Sequence, residues 1–554
     1  MSSYLKKHVE TKTPQTEQES PLQVPNSAGG FSFSVTPIDR LMRFLILGSE
    51  GGTYYVGEKD LTKENLDNLK ELTQSNPFTV IHKAALVSDE GRAYRNDAAI
   101  FVLAYVMTFG DDKAKAYARG HVNVIVRTAT HLFQYESFLK ALAPGSGLGT
   151  SRNKSIADWY GNKTPEQIAY QAVKYRNRYG WTHKDSLRQS RPKFHTDLYD
   201  DVAKWILGKY TGRLTELPTV IQAFEEVQKA DNVENVLAIM EGTNLPWESL
   251  PTHFHKEPKV WKKLFYTGQL KGQALVRNII RLARMSAFDD LVFARDYADK
   301  LVDEEMIKWT RLHPLNFLNA LVVHTEGQIQ RKSWSFMGYR NKDWISVPVI
   351  VDALNAGVHL SFKHVEPTGK RTLLAVDVSG SMSGSIGMGL DLTAAQISGV
   401  MAATIAKTEP YYQIMGFSHQ FRDLGISADM SLTSVMKKVQ DNNFGSTNCS
   451  MPMIWAMDGR TSNMSWSRPE RHAVKEFDTF VVLTDSETYA SPVHPHVALQ
   501  DYRKKTGIPA KLIVVGTTST GFTIADPNDS GMLDCVGADA NLPRLIAEFS
   551  KGYI

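Results

Sequence analysis

The chain has 554 residues, 42% hydrophobic and 22% charged, with a net charge of +4. That is ordinary globular composition for two to four domains and excludes a mostly disordered or fibrous protein. The longest apolar run, Ala98 to Phe109, is too short to cross a bilayer as a helix. The start lacks the apolar core of a secretory signal, and Cys449 and Cys535 cannot build a disulfide framework or a Cys-rich zinc site, so a reducing, cytoplasmic setting is expected.

Taken in chain order, residues 1–25 are polar and rich in Thr, Gln, Glu and Pro, and read as a flexible N-terminal arm. Residues 26–364 read as a helical module. Ile38 to Leu47, Asn65 to Leu72, Ala98 to Phe109 and Pro218 to Val227 repeat apolar residues three and four apart. Punctuation such as Gly51-Gly52 and Ser75-Asn76-Pro77 separates them. Ten or more such segments with little strand between them suggest stacked helical hairpins, an α-solenoid, although no fixed period is visible. The pattern changes near Val365-Glu366-Pro367-Thr368-Gly369, which opens a third region, 365–554. Strands are expected at Thr372 to Val378, Tyr412 to Phe417, Thr479 to Thr484 and Ala510 to Gly516. Helices are expected at Leu390 to Lys407, Leu432 to Gln440, His496 to Lys505 and Leu542 to Ser550. Strands apolar on both faces and separated by helices indicate a doubly wound parallel sheet.

The sharpest local motif follows the first of these strands: Asp377-Val378-Ser379-Gly380-Ser381. One carboxylate and two hydroxyls at the carboxyl end of a strand suit a hard divalent cation, Mg²⁺ or Mn²⁺. Thr447 and Asp485 stand in two further loops of the same region and offer matching oxygens. The trio of loops resembles the metal-ion-dependent adhesion site of von Willebrand factor A domains. That resemblance implies Ser379, Ser381 and Thr447 as direct ligands, with Asp377 and Asp485 beside the ion. A turn or helix cap built from Asp and Ser would explain the first loop alone. No Walker-type phosphate loop and no recognisable general base accompany the motif, which speaks against a nucleotide site or a metal-dependent hydrolase. Asp526, Asp529 and Asp534 read as solvated loop carboxylates.

Charge is uneven along the chain. Residues 1–364 carry 47 Lys and Arg against 40 Asp and Glu, whereas residues 365–554 carry 16 against 19. The excess concentrates in two segments, 151–193 and 256–284, each +7. Such segments are either solvated helix faces or a footprint for a polyanion. In the first, Lys174, Arg176, Arg178, Lys184, Arg188 and Arg191 interleave with aromatics, and a helix would put Lys174 and Arg178 on one face. Guanidinium groups there can clamp phosphates and aromatic rings can stack on unpaired bases, or Tyr175 and Trp181 simply pack. In the second, Arg277, Arg281 and Arg284 fall at i, i+4 and i+7, one basic stripe, with Leu275, Ile279 and Leu282 on another face that should be buried.

The chain resembles the Ro autoantigen family, in which a TROVE module precedes a von Willebrand factor A domain. The likeness is carried by FLILGSEGGTYY (44–55), Ile156-Ala157-Asp158-Trp159-Tyr160, Gly180-Trp181-Thr182-His183-Lys184-Asp185, VEPTGKR (365–371), YRKKTGIPAKL (502–512) and GFTIADPNDSGMLD (521–534). The resemblance implies a ring of HEAT-like helical repeats closed by the A domain. It further implies Y or Y-like small non-coding RNA on an outer basic surface, and single-stranded ends of misfolded RNA in a central hole. His183, in a motif with Thr182 where the family has Ser, would contribute to RNA binding. Asn448 departs from the Asp expected after Thr447. The expectation is a non-enzymatic, monomeric, cytoplasmic RNA-binding protein with Mg²⁺ in its A domain. The alternative is a protein-interaction module that recruits an exoribonuclease or other partner through that metal.

Overall fold

The computed structural model describes residues 12–50, 53, 56–145, 147, 149–327, 344–362, 366–386, 390, 392–441, 445–462 and 475–554. Two compact units emerge that do not follow chain order: Met1–Asn68 joins Phe362–Ile554, and Leu69–Ser361 forms the other.

The first unit carries strands β1 (Gln23–Pro25), β2 (Phe31–Ser34), β3 (Thr372–Asp377), β4 (Tyr412–Phe417), β5 (Phe421–Asp423), β6 (Thr479–Thr484), β7 (Lys511–Gly516), β8 (Phe522–Thr523) and β9 (Met532–Val536). Its main sheet has the order β5-β4-β3-β6-β7-β9 and is parallel except for the β4–β5 hairpin. Every residue of β3 (TLLAVD) and β6 (TFVVLT) is buried, which is why neither strand alternates polar with apolar. Leu373, Ala375, Phe417, Val482 and Val514 pack on one face against Met451, Trp455, Leu499 and Tyr502. From β3 the chain builds outward to β4 and then returns to the other side through β6, β7 and β9. The order therefore reverses between β3 and β6, and the crevice beyond their carboxyl ends is where this architecture binds ligands.

The expectation of a flexible arm over residues 1–25 fails for residues 12–25, since residues 1–11 lie outside those described. β2 pairs with β1 on one side and with β8 on the other in a second, antiparallel sheet. Gln15 is fully buried, and its backbone N–H donates to Ser491 O at 2.9 Å. Asn26 Nδ2 reaches Thr488 O at 2.9 Å. Polar composition misled here because these polar groups are spent on hydrogen bonds to the loops after β6 rather than on water. Asp534 is likewise not a solvated loop residue. It lies in β9, and its two carboxylate oxygens accept hydrogen bonds from Arg43 Nη2, at 2.7 and 2.8 Å. Arg43 is 1% exposed and spends its other terminal nitrogen on the carbonyls of Thr520 and Phe522.

The second unit is helical, and among its described residues the backbone pairs as strand only at the Arg178–Trp181 bridge. Helices Pro77–Glu90, Asp97–Phe109 and Ala129–Leu142 pack together, as do Pro314–Glu326 and Pro348–Leu360. Asn76, Thr128, Thr164, Thr182 and Thr196 each cap a helix through their side-chain oxygens. The apolar run near residue 100 becomes a core helix buried on most sides. Among the described residues no helix is long and apolar enough to cross a membrane.

Candidate metal centre and nucleic-acid interface

Asp377 ends β3 at the crevice and is fully buried. Its Oδ1 accepts the Ser379 N–H at 2.9 Å, which shapes the turn, and its Oδ2 accepts the Thr484 hydroxyl at 2.6 Å, which ties the ends of β3 and β6 together. The Ser379 and Ser381 hydroxyls lie 3.1 Å apart. Asp485, directly after β6, takes a hydrogen bond from Ser381. The backbone N–H of Gly380 donates to Gly445 O at 3.1 Å and brings in the loop that carries buried Thr447. The structure thus brings Asp377, Ser379, Ser381 and Asp485 to one crevice and sets the backbone of the Thr447 loop against it. Asn448 uses its side-chain oxygen to accept the N–H and hydroxyl of Ser450, at 3.0 and 2.6 Å, a structural duty that an amide performs without adding charge.

The donor set fits a hard divalent cation: two carboxylates and three hydroxyls, with no soft ligand. Burial, and then the charge of Asp485, pushes the Asp377 carboxyl up to about 7. Burial raises Asp485 as well. Neither carboxylate is ion-paired among the described residues, so this pocket is short of positive charge. A cation would be held by Ser379, Ser381 and Thr447, with Asp377 and Asp485 compensating its charge. Among the described residues no group of three His, Cys, Asp or Glu forms a conventional metal cluster. A cavity of about 30 Å³ beside the centre is lined by Ser381 and Asp485 and, from the N-terminal segment, by Ser49 and Glu50. Sequence reading gave Glu50 no role, because nothing in local pattern links residue 50 to residue 485.

The basic residues fare differently. The helix Pro165–Lys174 stops at Lys174, and a tight turn with Tyr179 and Gly180 at φ of 53° and 75° leads to the next helix, His183–Ser190. Lys174 and Arg178 therefore do not share a helix face. Arg176, Arg178, Arg188 and Arg191 are exposed, and Lys184 is half-buried. Lys174 is drawn in beside the Tyr170 and Tyr175 rings, at 5.5 and 5.4 Å. His183, expected at an RNA contact, is instead buried at 3% exposure and presents almost no surface to a ligand. Its Nδ1 is hydrogen-bonded to the Tyr160 hydroxyl at 2.7 Å, and Phe133 packs edge-on at 5.0 Å. Burial lowers its pKa to about 4, leaving it neutral.

The expected arginine stripe is also broken. Gln273–Arg277 and Ile279–Arg284 are separate short helices with Asn278 between them, while Leu275, Ile279 and Leu282 are buried as expected. Arg277 and Arg284 are exposed. Arg281 is turned onto two indoles, Trp247 and Trp261, each 4.9 Å from its guanidinium carbon. The stacking holds it half-buried, where Arg277 and Arg284 are exposed. Sequence reading missed Trp247 and Glu248. The Glu248 carboxylate faces Lys174 and Arg178 while Trp247 holds Arg281, so this one turn stitches the two basic segments together.

Residues 371–550 match the family model described as the Ro60 vWA domain, and residues 24–241 and 239–344 match the TROVE domain. The chain belongs to the Ro60 family. It is 35% identical to the RNA-binding protein RO60 of Deinococcus radiodurans, over 98% of each chain. Identity to the RNA-binding protein RO60 of Caenorhabditis elegans is 28%, over 98% of this chain and 92% of that one. The crystal structure of the Deinococcus radiodurans Ro protein superposes with a TM-score of 0.65 at 33% identity, covering 94% of this chain and all of that one. The fold expected from the sequence, helical repeats plus an A domain, is the Ro fold. Both relatives are named for RNA binding and neither for a catalytic activity, in line with the non-enzymatic expectation. The TROVE match starts at residue 24, yet residues up to Asn68 pack with the A domain in the structure.

Proposed function

We propose that this Ro60-family protein binds a small non-coding RNA of Y or Y-like type. We propose further that it grips single-stranded ends of misfolded RNA and so acts in RNA quality control or as a ribonucleoprotein scaffold in the cytoplasm. The observation that carries the reading is the segregation of charge. The helical unit Leu69–Ser361 holds 39 Lys and Arg against 31 Asp and Glu, a net +8, whereas the other unit holds 24 against 28. Exposed Arg176, Arg178, Arg188 and Arg191 lie within that excess and are able to reach phosphates. A ring of HEAT-like repeats and a monomeric state belong to the same reading, as does Mg²⁺ at the A-domain centre. Buried Cys449 and Cys535 suit a reducing compartment.

The test is a titration of a hairpin RNA with a single-stranded tail at rising salt. Each neutralised phosphate contributes about 0.7 to 0.9 to the slope of log affinity against log salt. Replacing Arg176, Arg188 and Arg191 together by Gln is expected to flatten that slope by about two to three and leave the melting temperature unchanged. A wild-type affinity indifferent to salt would overturn the reading.

A second reading concerns the A domain alone. The net −4 of its unit disfavours a polyanion, and a metal with an open position accepts a carboxylate. In this reading a protein partner, such as an exoribonuclease, docks there through an acidic side chain, and chelation releases the protein while the RNA stays bound.

A further inference from the structure

Two clefts in the helical unit meet at one lysine. The larger, about 530 Å³, is walled by Tyr266, Lys271 and Trp309 over a floor that includes Leu270 and Met306. The other, about 390 Å³, is lined by Tyr170, Gln167, Asn244 and Gln269, and again by Lys271. Trp309 and Tyr266 are large aromatic side chains left 67% and 58% exposed, against the normal tendency of such rings to be covered. The local sequence builds this arrangement. Gly272 adopts φ of 55°, and a Cβ there would sit 2.9 Å from the Thr310 side chain. Only glycine lets the chain pass Thr310 so closely, and the pass sets the Lys271 ammonium 4.9 Å from the Trp309 ring centre. The Tyr266 hydroxyl is anchored on Asp296 at 2.7 Å, which fixes its ring as a wall.

We propose that these joined clefts bind single-stranded RNA, with unpaired bases stacked on Trp309 and Tyr266 and the backbone passing Lys271 into the amide-lined cleft. This rests on the reading that the chain binds RNA, and adds a place for it outside the arginine clusters. The chemistry favours a nucleic acid over a peptide. Each base offers a flat face to a flat ring, and the ammonium beside Trp309 can take the adjoining phosphate. The amides of Gln167, Asn244 and Gln269 can meet base edges, which carry donors and acceptors that amides match. Stacking is sequence-tolerant, as gripping of varied single strands requires.

The experiment measures binding of a fluorescein-labelled twelve-nucleotide RNA without secondary structure, and of a blunt hairpin, to the full-length protein by anisotropy. Trp309→Ala is expected to weaken the single strand about tenfold while sparing the hairpin, with an unchanged salt slope, because stacking releases no counterions. Trp309→Phe, which keeps a ring, should recover most of the affinity. Lys271→Gln should flatten the salt slope by about 0.7, the value of one single-strand phosphate. The exposed position of Trp309 means the melting temperature should not move. If wild-type protein binds the single strand and Trp309→Ala binds it equally well, this site is wrong while the RNA-binding reading stands. Equal losses for strand and hairpin would also overturn it. If wild-type protein binds neither RNA, both fall.

Discussion

Glu136 and His183 show what burial does to two titratable groups in the helical unit. Glu136 accepts the Ser186 hydroxyl at 2.7 Å through Oε2, while its Oε1 and His183 Nε2 find no partner among the described residues. Burial, with the nearby charge of Asp185 adding to it, pushes Glu136 from its ordinary 4.5 up to about 8, against the Ser186 hydrogen bond. Burial pulls His183 from 6.5 down to about 4. The signs are opposite. A carboxyl raised in the folded state holds its proton there, so its contribution is complete below pH 4.5 and is lost as pH rises towards 8. A lowered histidine contributes fully above pH 6.5 and loses that contribution as pH falls towards 4. The two slopes offset each other between pH 4.5 and 6.5, and above 6.5 only Glu136 remains. Glu136→Gln is therefore expected to remove a fall in stability of about 1 kcal/mol per pH unit between pH 6.5 and 7.5. Urea denaturation at those two pH values measures it; an identical fall in the variant would show that Glu136 is already ionised in the native protein.

At the scale of elements, the segment 12–34 behaves as a strap across the loop that follows β6. Gly30 lies so close that a Cβ there would stand 2.0 Å from Thr488 O, a backbone atom that cannot swing aside. Gly29, with φ of 88°, has open space around its Cβ position. Gly29→Ala should cost about 1 kcal/mol from conformation alone, and Gly30→Ala about 3 kcal/mol from overpacking. A shift in denaturation midpoint that is larger for Gly29→Ala would contradict the strap. Legibility divides along the same line. The buried strands TLLAVD and TFVVLT could be read to the residue or nearly so, because a run of apolar residues has few alternatives in a parallel sheet. The Asp377 and Asp485 loops were legible because one ends and the other directly follows such a strand, whereas Thr447 stands between two helices, Leu432–Asp441 and Met451–Asp458. The strap was not, since Gln15 and Asn26 are buried by partners more than 450 residues away. The arginine stripe failed for a related reason: helical spacing says which residues could share a face, not that indoles from Trp247 and Trp261 will claim Arg281.

For the whole molecule, a nearly neutral chain separates into a basic helical unit and an acidic unit that concentrates negative charge in one buried place. Asp377 and Asp485 oppose each other's ionisation there. Any ion that binds the native arrangement and not the unfolded chain must stabilise the fold by mass action, about 2.7 kcal/mol at a hundredfold excess over its dissociation constant. Mg²⁺ at that excess is therefore expected to raise the melting temperature of the A-domain unit by about 5 °C over protein in EDTA. Asp377→Asn separates this from a general salt effect. The amide keeps the side chain's shape and an acceptor for the Ser379 N–H but removes one of two opposed charges. The variant should melt no lower than wild type in EDTA, and adding Mg²⁺ should leave it there. A scanning calorimetry trace in which Asp377→Asn still gains the full increment would move the cation away from this crevice, whereas a wild-type protein blind to Mg²⁺ would remove it.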